Sequence, residues 1–551
     1  MLRTILRQCI SGIWLPALLG AALYWAALPP CDLGFLAWIA PTPWLMLIRR
    51  ETLPGRRPYL VLTGAGFLLW LAVLHWLRLP HPATSLGWVA LSAYFASYLP
   101  LFVALTRTAV WRLKLPIILA APVVWTGLEL LRGHLLTGMT MGALGHTQYR
   151  FLSLIQISDL AGAYGVSFVV MFVAAALGRM LPLEGRRWSL RPLWPLGCLL
   201  SAVLLYGQVR LAQSSHEPGP TIALIQGSID IQMRYDPEMQ DRIYDEYVRL
   251  SHQAKKLAPQ IDLVVWPETM HPQPLVTFEP DAERPQEFIG TEAEFRCWLK
   301  ESSASGSAGF AQLAEALDAA LLLGVDRYHF TAVGFQSYNT AAYISREGRL
   351  VGWYDKIHLV MFGEYVPLAG VFPWLQRLTP LPLSVTAGRS PQAFELSYAD
   401  GKTCRLSPNI CFETVLPHVI LRQVNRLKAE GREPDILINL TNDGWFWGSS
   451  ELDLHLICGV FRAVECRKPL LIAANTGFSA WIDGNGKIVR QGPRRDKEVI
   501  IARPHLDRRK SPYLSWGDWP AGVCLASCAL FALAGLKEHC ARRKADEKPA
   551  L

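Results

Sequence analysis

Three residues that could together perform acyl chemistry stand at the ends of three separate strand-like segments. Glu268 ends "LVVWPET", Lys356 lies in "GWYDKIHLVMFGEYVP", and Cys411 lies in "SPNICFET". The thiolate is the nucleophilic form of cysteine, so a base must take the proton of the thiol. A glutamate can be that base, and a lysine can stabilise the oxyanion that forms when a thiolate attacks a carbonyl. The set predicts thiol-based acyl transfer or hydrolysis.

Each of the three residues alone also has an ordinary structural explanation. A lysine on a loop is usually solvated, and a cysteine at a strand end more often packs as a small apolar residue. Their joint presence in one domain is more specific, because α/β folds collect catalytic groups at strand ends. We expect Glu364 to position Lys356, and the backbone N–H of Phe412 to join Lys356 in an oxyanion hole. Glu413 either supports the catalytic loop or makes a simple hydrogen bond.

The segment 220–505 has the pattern of an α/β layered fold. Continuous apolar strands such as "TIALIQ", "IDLVVW" and "PDILINLT" alternate with helical patterns such as "EMQDRIYDEYVRLSHQA" and "ELDLHLICGVFRAVEC". Strands buried on both faces have this composition. "LLIAANTGFSAWIDGNGKIV" predicts two strands joined by a turn. The stretch 274–309 is poorly patterned and ends in "SSASGSAG", which predicts a long, partly mobile loop or lid.

The rest of the chain has a different composition. The 551 residues are 51% hydrophobic and only 18% charged, and the long uncharged runs lie in 1–212 and 519–536. A membrane-spanning helix needs about 20 mostly apolar residues. The sequence predicts seven spans within a bundle at 1–212 and an eighth within 516–536: 8–28, 32–48, 58–77, 84–106, 115–131, 161–178, 193–210 and 518–536.

Lysine and arginine in the connecting segments predict the orientation of this bundle. With the N-terminus inside, the inside segments carry 18 Lys and Arg, and the short outside loops carry only Arg78, Arg132 and Arg150. Cytoplasmic loops are the basic ones. The block 220–505 is then predicted to face the periplasm of a bacterial inner membrane, and 537–551 is predicted to be a basic cytoplasmic tail.

The composition also argues against several other functions. None of the eleven cysteines forms a CxxC pair or a zinc-type cluster with histidine, so we expect no metal and no cofactor. The net charge of +9 comes from residues clustered at the ends of hydrophobic runs, so we expect a membrane partner and no nucleic acid.

Several motifs resemble the nitrilase superfamily, and within it the apolipoprotein N-acyltransferase family. They are "VVWPET", "KIHLVMFGEYVP", "ICFE", "NLTNDGWF", "FRAVECRKPLLIAANTG" and the loop "LLTGMTMGALGHTQ". The resemblance implies an αββα layered sandwich carried on membrane helices, with a Glu-Lys-Cys catalytic set. It also implies that a phospholipid donates its acyl chain to Cys411, and that the α-amine of a diacylated apolipoprotein accepts that chain. We expect the enzyme to act as a monomer.

Three departures from the family pattern affect the region expected to bind substrate. Tyr235 and Phe412 stand where the family often has Trp and Tyr, and Met139-Thr140 stand where it usually has Phe-Pro. Aromatic character is kept at the first two positions. We expect Tyr235, Trp445 and Phe446 to contact substrate, with ordinary core packing as the alternative for the last two.

Two other functions remain open at this point. A membrane-tethered amidase could use the same three residues, but eight spans would be superfluous for hydrolysis of small amides. A transporter or receptor without catalysis would not need Cys411.

Overall fold

The computed structural model describes residues 12–182, 188–213, 217–234, 236–367, 371–372, 374 and 385–546. These residues form two compact units. The first unit lies within residues 12–78, 85–212 and 511–546, and the second within 79–84 and 213–510. The helices are α1 (Trp14–Ala27), α2 (Thr42–Ile48), α3 (Pro58–Val73), α4 (Thr84–Ala96), α5 (Tyr98–Arg107), α6 (Ile117–His134), α7 (Leu152–Ile155), α8 (Ser158–Met180), α9 (Leu193–Ala212), α10 (Ile231–Arg234), α11 (Gln240–Leu257), α12 (Glu292–Leu317), α13 (Pro417–Ala429), α14 (Glu451–Cys466), α15 (Pro512–Trp516) and α16 (Trp519–Asp546).

The first unit is helical, and every predicted span contains helix. Four helical stretches are long and apolar enough to cross a membrane: Thr84–Arg112, Ser158–Met180, Leu193–Ala212 and Trp519–Lys537. Shorter apolar helices lie at Trp14–Ala27, Gly34–Ile48 and Pro58–Val73. Many large apolar side chains of this unit point outward, among them Leu60, Leu86, Trp194 and Leu205. Helices with apolar outer faces suit lipid as the surrounding solvent.

The second unit contains two large β-sheets, in which neighbouring strands near the centre are parallel, and a two-stranded antiparallel sheet formed by 217–218 and 505–506. The strands are β1 (Glu217–Pro218), β2 (Ile222–Gln226), β3 (Leu263–Trp266), β4 (Leu275–Phe278), β5 (Ala320–Thr331), β6 (Gly334–Ile344), β7 (Leu350–Asp355), β8 (Phe394–Tyr398), β9 (Lys402–Ile410), β10 (Ile436–Thr441), β11 (Leu470–Ala474), β12 (Ala480–Ile482), β13 (Ile488–Gln491), β14 (Glu498–Ala502) and β15 (His505–Leu506). One sheet has the order β14-β2-β3-β5-β6-β7, with β4 beside β5, and the other has β13-β12-β11-β10-β9-β8. Parallel pairs include β2–β3, β3–β5, β9–β10 and β10–β11.

The two sheets pack face to face, with helices on their outer sides. Side chains from both sheets, such as Leu224, Val265 and Ile438, share one buried core. The outer face of the first sheet is covered by α11 and α12, whose Leu250 and Phe310 lie in a second core. On the second sheet, α14 packs on β11. This αββα sandwich is the nitrilase-like fold that the sequence predicted.

The prediction of a long loop over the whole of 274–309 was wrong, because within it only residue 274 and residues 279–291 lack helix or strand. Residues 275–278 form β4, and "SSASGSAG" lies inside α12. The helix begins with a capping box, in which Thr291 Oγ1 accepts from Glu294 N at 3.3 Å and Glu294 Oε2 accepts from Thr291 N at 2.6 Å. Phe295 and Phe310 anchor it on either side of the small residues. Burial at both ends outweighs a glycine penalty of about 1 kcal/mol per residue.

The segment after α14 contains three strands where the sequence predicted two. The Asp-Gly-Asn-Gly turn at 483–486 joins β12 to β13, and β12 also pairs with β11 in the antiparallel direction. The chain reverses between β11 and β12 through "NTGFS", a turn that the apolar run around it concealed. Side chains within this reversal, Asn475 and Ser479, are fully buried and hydrogen-bonded.

Candidate active site

The predicted catalytic residues follow the ends of three strands in the two facing sheets. Glu268 comes two residues after β3, Lys356 directly after β7, and Cys411 directly after β9. Glu268 and Lys356 are buried, with exposed fractions of 7% and 1%, and Cys411 is half-buried. A Cβ at Gly324 would lie 2.1 Å from the carbonyl oxygen of Pro267. Glycine at this position therefore lets β5 pass close behind the Glu268 segment.

Lys356 lies between two carboxylates. Its Nζ donates to Glu364 Oε1 at 2.8 Å and lies 3.5 Å from Glu268 Oε1. The other oxygen of Glu364 accepts from the backbone N–H of Val360 at 2.8 Å. Glu364 is therefore held by the same loop that carries it, and it fixes the lysine head beside Glu268.

Two residues that the sequence analysis did not single out fix Glu268 in place. Asn339 Nδ2 donates to Glu268 Oε1 at 2.7 Å and lies 3.4 Å from Glu364 Oε1. The backbone N–H of Asn442, directly after β10, donates to Glu268 Oε2 at 2.9 Å. The only sequence signals were a polar residue within the β6 pattern and the Asn of "NDGWF".

The electrostatics of the site favour a proton on Lys356. Burial by itself lowers the pKa of Lys356, but Glu364, Cys411 and Glu268 together raise the pKa well above its ordinary value. Burial raises the pKa of Glu268, Lys356 lowers it, and Glu364 raises it further. The pKa of Glu268 therefore lies above the ordinary range of a glutamate, which suits a group that must both take and return a proton.

The thiol of Cys411 is neutral in the resting site. Burial and the charge of Glu268 raise the pKa of Cys411 well above its ordinary value, while Lys356 acts in the opposite direction. A neutral thiol is a poor nucleophile, so its reaction requires removal of the proton. Glu268 is the carboxylate whose charge acts most strongly on this thiol.

The backbone at Cys411 is in the left-handed region, with φ of 51°. Left-handed backbone is unfavourable for residues with a side chain, and surrounding contacts must maintain it. Here the carbonyl oxygen of Cys411 lies 3.2 Å from Asn439 Nδ2 and 3.2 Å from His455 Nε2. Phe412 follows and stacks on His358, with ring centroids 6.3 Å apart.

Glu413 is fully buried and joins the lysine segment to the cysteine segment. Its Oε1 accepts from the backbone N–H groups of Ile357 and His358, both at 2.9 Å. Its Oε2 accepts from the N–H of Ile410 at 2.7 Å. Both oxygens also lie 2.8 Å from Tyr354 Oη. Through these hydrogen bonds, the Glu413 carboxylate holds the backbone next to Lys356 and the backbone next to Cys411.

Of the three residues predicted to contact substrate, the structure describes two. Trp445 and Phe446 lie in a short 3₁₀ helix, Asp443–Phe446, and are half-buried. Trp447 is exposed and lies under the Arg495 guanidinium at 5.2 Å. Tyr235 lies outside the described residues. Contact of Tyr235, Trp445 and Phe446 with substrate stays a prediction.

One group of side chains has the spacing of a metal site. Single ligand atoms of Asp443, Glu451 and His455, all buried, lie within 4.8 Å of one another. Both ring nitrogens of His455 are already engaged, Nδ1 with Asp443 Oδ1 at 3.2 Å and Nε2 with the Cys411 carbonyl. A histidine ligand needs a free ring nitrogen lone pair, so this donor set does not suit a metal ion.

Each of the two units matches a family model of known proteins. Residues 20–176 match the family model of the apolipoprotein N-acyltransferase N-terminal domain, and residues 221–511 match the carbon-nitrogen hydrolase model. An apolipoprotein N-acyltransferase of Rhodopirellula baltica is 32% identical over 545 residues, covering 91% of this chain and 93% of the relative. That of Geobacter metallireducens is 32% identical over 529 residues and covers 94% of each chain. The chain therefore belongs to the apolipoprotein N-acyltransferase family, in the nitrilase superfamily.

Proposed function

We propose that this protein transfers a fatty acyl chain from a membrane phospholipid, through a thioester on Cys411, to the α-amine of the N-terminal diacylglyceryl-cysteine of apolipoproteins. Family membership supports the N-acyltransferase activity over the amidase alternative, because both units match and the relatives are N-acyltransferases. The observation that carries the catalytic assignment is the buried cluster of Glu268, Lys356 and Glu364, at the same side of the sandwich as Cys411.

In the first half-reaction, Glu268 takes the proton of the Cys411 thiol, and the thiolate attacks the ester carbonyl of the phospholipid. A C–S bond forms, and the carbonyl oxygen becomes an oxyanion next to Lys356 Nζ and the Phe412 N–H. Collapse of this intermediate breaks the ester C–O bond, and Glu268 returns its proton to the departing lysophospholipid hydroxyl. Loss of one oxyanion donor typically costs about 10²–10³ in rate.

In the second half-reaction, the neutral α-amine of the lipoprotein attacks the thioester. A C–N bond forms and the C–S bond breaks, so that the Cys411 sulfur leaves. Glu268 accepts the proton lost by the amine and returns it to the sulfur, which restores the resting enzyme. The same oxyanion donors serve both halves, because each half passes through a tetrahedral oxyanion.

The two substrates are lipids, so we place the catalytic unit at the outer face of a bacterial inner membrane. The bundle would cross the membrane eight times, with the catalytic unit in the periplasm and 537–551 in the cytoplasm, and the enzyme would act as a monomer. Four long apolar helices, the shorter apolar helices and the basic inside segments support this topology. A reporter active only outside the cytoplasm should work when inserted within 220–505 and fail when fused after residue 540. The reverse pattern would remove the proposed topology.

The covalent intermediate provides the decisive test of the reaction. Enzyme mixed with phospholipid alone should gain the mass of one acyl chain on the Cys411 peptide, and hydroxylamine should release it. Addition of a diacylated lipopeptide should move the chain to the peptide amine. Cys411→Ala should gain no mass, whereas Cys404→Ser, a change at a buried cysteine of β9, should acylate normally. Release of free fatty acid without transfer would instead indicate a hydrolase.

A further inference from the structure

His455 of α14 contacts the nucleophile through the backbone and has no part in the half-reactions above. Its Nε2 lies 3.2 Å from the carbonyl oxygen of Cys411, and its Nδ1 lies 3.2 Å from Asp443 Oδ1. His455 is buried, with 3% of its surface exposed. A carbonyl oxygen can only accept, so the proton of that hydrogen bond is on Nε2.

Asp443, the partner of His455 Nδ1, indicates that Nδ1 is also protonated. Asp443 Oδ1 already accepts from Thr441 Oγ1 at 2.8 Å, which identifies this oxygen as an acceptor. Glu451 lies next to Asp443, and burial together with the charges of Asp443 and Asp453 raises the pKa of Glu451 well above its ordinary range. The raised pKa of Glu451 favours a proton on that carboxyl. Burial lowers the pKa of His455, but Asp443 and the Cys411 carbonyl raise it above its ordinary value, which favours a proton on both ring nitrogens.

The geometry of a peptide bond connects this contact to the oxyanion hole. The carbonyl of Cys411 and the N–H of Phe412 belong to one planar trans peptide, in which they point in opposite directions. Drawing the carbonyl toward His455 and Asn439 therefore fixes the direction in which the Phe412 N–H points. A charged donor on the carbonyl also polarises the peptide and strengthens that N–H as a donor.

We propose that His455, charged by Asp443, is a positioning residue that fixes the Cys411–Phe412 peptide so that the Phe412 N–H is aimed at the oxyanion. This inference rests on the proposed function, because it assigns the Phe412 N–H to the oxyanion hole. The same contact stabilises the left-handed backbone of Cys411, whose φ is 51°. A role in metal binding does not fit, because both ring nitrogens are engaged.

Two reactions of the Cys411 thiol distinguish a role in aiming the oxyanion donor from a general effect on the reactivity of the thiol. Acylation by phospholipid passes through an oxyanion, whereas alkylation by iodoacetamide displaces iodide and forms no oxyanion. His455→Ala should therefore slow acylation of Cys411 about 30-fold, as expected for a misdirected oxyanion donor. Its alkylation rate at the same pH should stay close to that of the wild type. His455→Gln keeps an N–H donor and should recover most of the acylation rate.

A matched control and a second variant make the test decisive. His329→Gln removes a β5 imidazole that contacts Thr277, outside the site, and should change neither rate. Asp443→Asn should lower acylation less than His455→Ala, and its alkylation rate should not fall, because the charge of Asp443 raises the pKa of Cys411. This variant decides the matter if His455→Ala does not fold. Wild-type acylation in His455→Ala, or an equal fall of both rates in the variants, would overturn the inference. Absence of acylation in the wild-type enzyme would instead overturn the proposed function.

Discussion

Buried charges occur in both units, but they are arranged differently. In the first unit, Asp159 is fully buried, and its carboxylate accepts from Arg210 Nε at 2.8 Å and from Tyr206 Oη at 2.7 Å. The described residues pair this carboxylate with the Arg210 cation. In the catalytic unit, Lys356 faces both Glu268 and Glu364, so one cation is shared by two anions.

The ratio of cations to anions in each of these two clusters indicates what the cluster does. The Asp159–Arg210 pair, with the hydrogen bond from Tyr206, joins the start of α8 to the end of α9, which is a structural role. The catalytic cluster has a carboxylate, Glu268, whose pKa is raised above its ordinary value, and this suits a group that takes and returns a proton. Substitutions should therefore act on stability in the first case and on reaction rate in the second.

The largest effect is expected at the shared cation. Lys356→Ala removes the charge that we propose stabilises the oxyanion, and it should slow acyl-enzyme formation about 10³-fold. Lys468 is a matched control, because it is also buried and contacts a carboxylate, Glu433, at 3.2 Å. Lys468→Ala should lose stability and keep the acylation rate per folded molecule. Equal acylation rates for the two variants, measured by mass, would contradict the assignment of Lys356.

The Asp159–Arg210 pair should show the opposite behaviour. Asp159→Ala removes the buried carboxylate that Arg210 contacts and should lower the free energy of unfolding by about 3 kcal/mol. Denaturant titration in detergent would measure this loss. The fraction that remains folded should acylate Cys411 at the wild-type rate. A slow rate without a loss of stability would show that this pair takes part in the reaction.

The pH dependence of the acylation rate tests the effect of placing two carboxylates next to one lysine. The pKa of Glu268 is raised by burial, lowered by Lys356 and raised again by Glu364. Glu364→Gln removes the last contribution, so Glu268 should lose its proton at a lower pH. The acid limb of the acylation rate should then move to lower pH, and the plateau should fall about tenfold because Lys356 loses its partner. Glu292→Gln, at an exposed position of α12, should leave the profile unchanged.

Much of the fold and part of the site follow from local sequence. Apolar runs of five or six residues predicted strands such as β2 and β10, and the chemistry-bearing residues stand at strand ends that the pattern made visible. The contacts of Asn339 and Asn442 with Glu268 did not follow. They join positions 71 and 174 residues apart. Asn339 lies on β6, in the same sheet as β3, and Asn442 follows β10 of the other sheet, so the two contacts depend on strand order within one sheet and on how the two sheets face each other. A polar residue in a strand pattern does not reveal either kind of partner.

The helix α12 is the clearest case in which local composition gave a wrong prediction. Substitution of its N-cap residue should have the smallest of the expected effects. "SSASGSAG" favours a loop by composition, yet buried residues on both sides keep it helical, and Thr291 fixes where the helix begins. Thr291→Ala removes the side-chain acceptor of the Glu294 N–H and should lower the free energy of unfolding by about 1 kcal/mol. Thr291→Ser keeps the hydroxyl and should lose much less. Both variants should acylate Cys411 at the wild-type rate, because the cap lies outside the contacts that hold Glu268 and Lys356. A change in acylation with Thr291→Ala would show that α12 acts on the catalytic groups as well as on the stability of the sandwich.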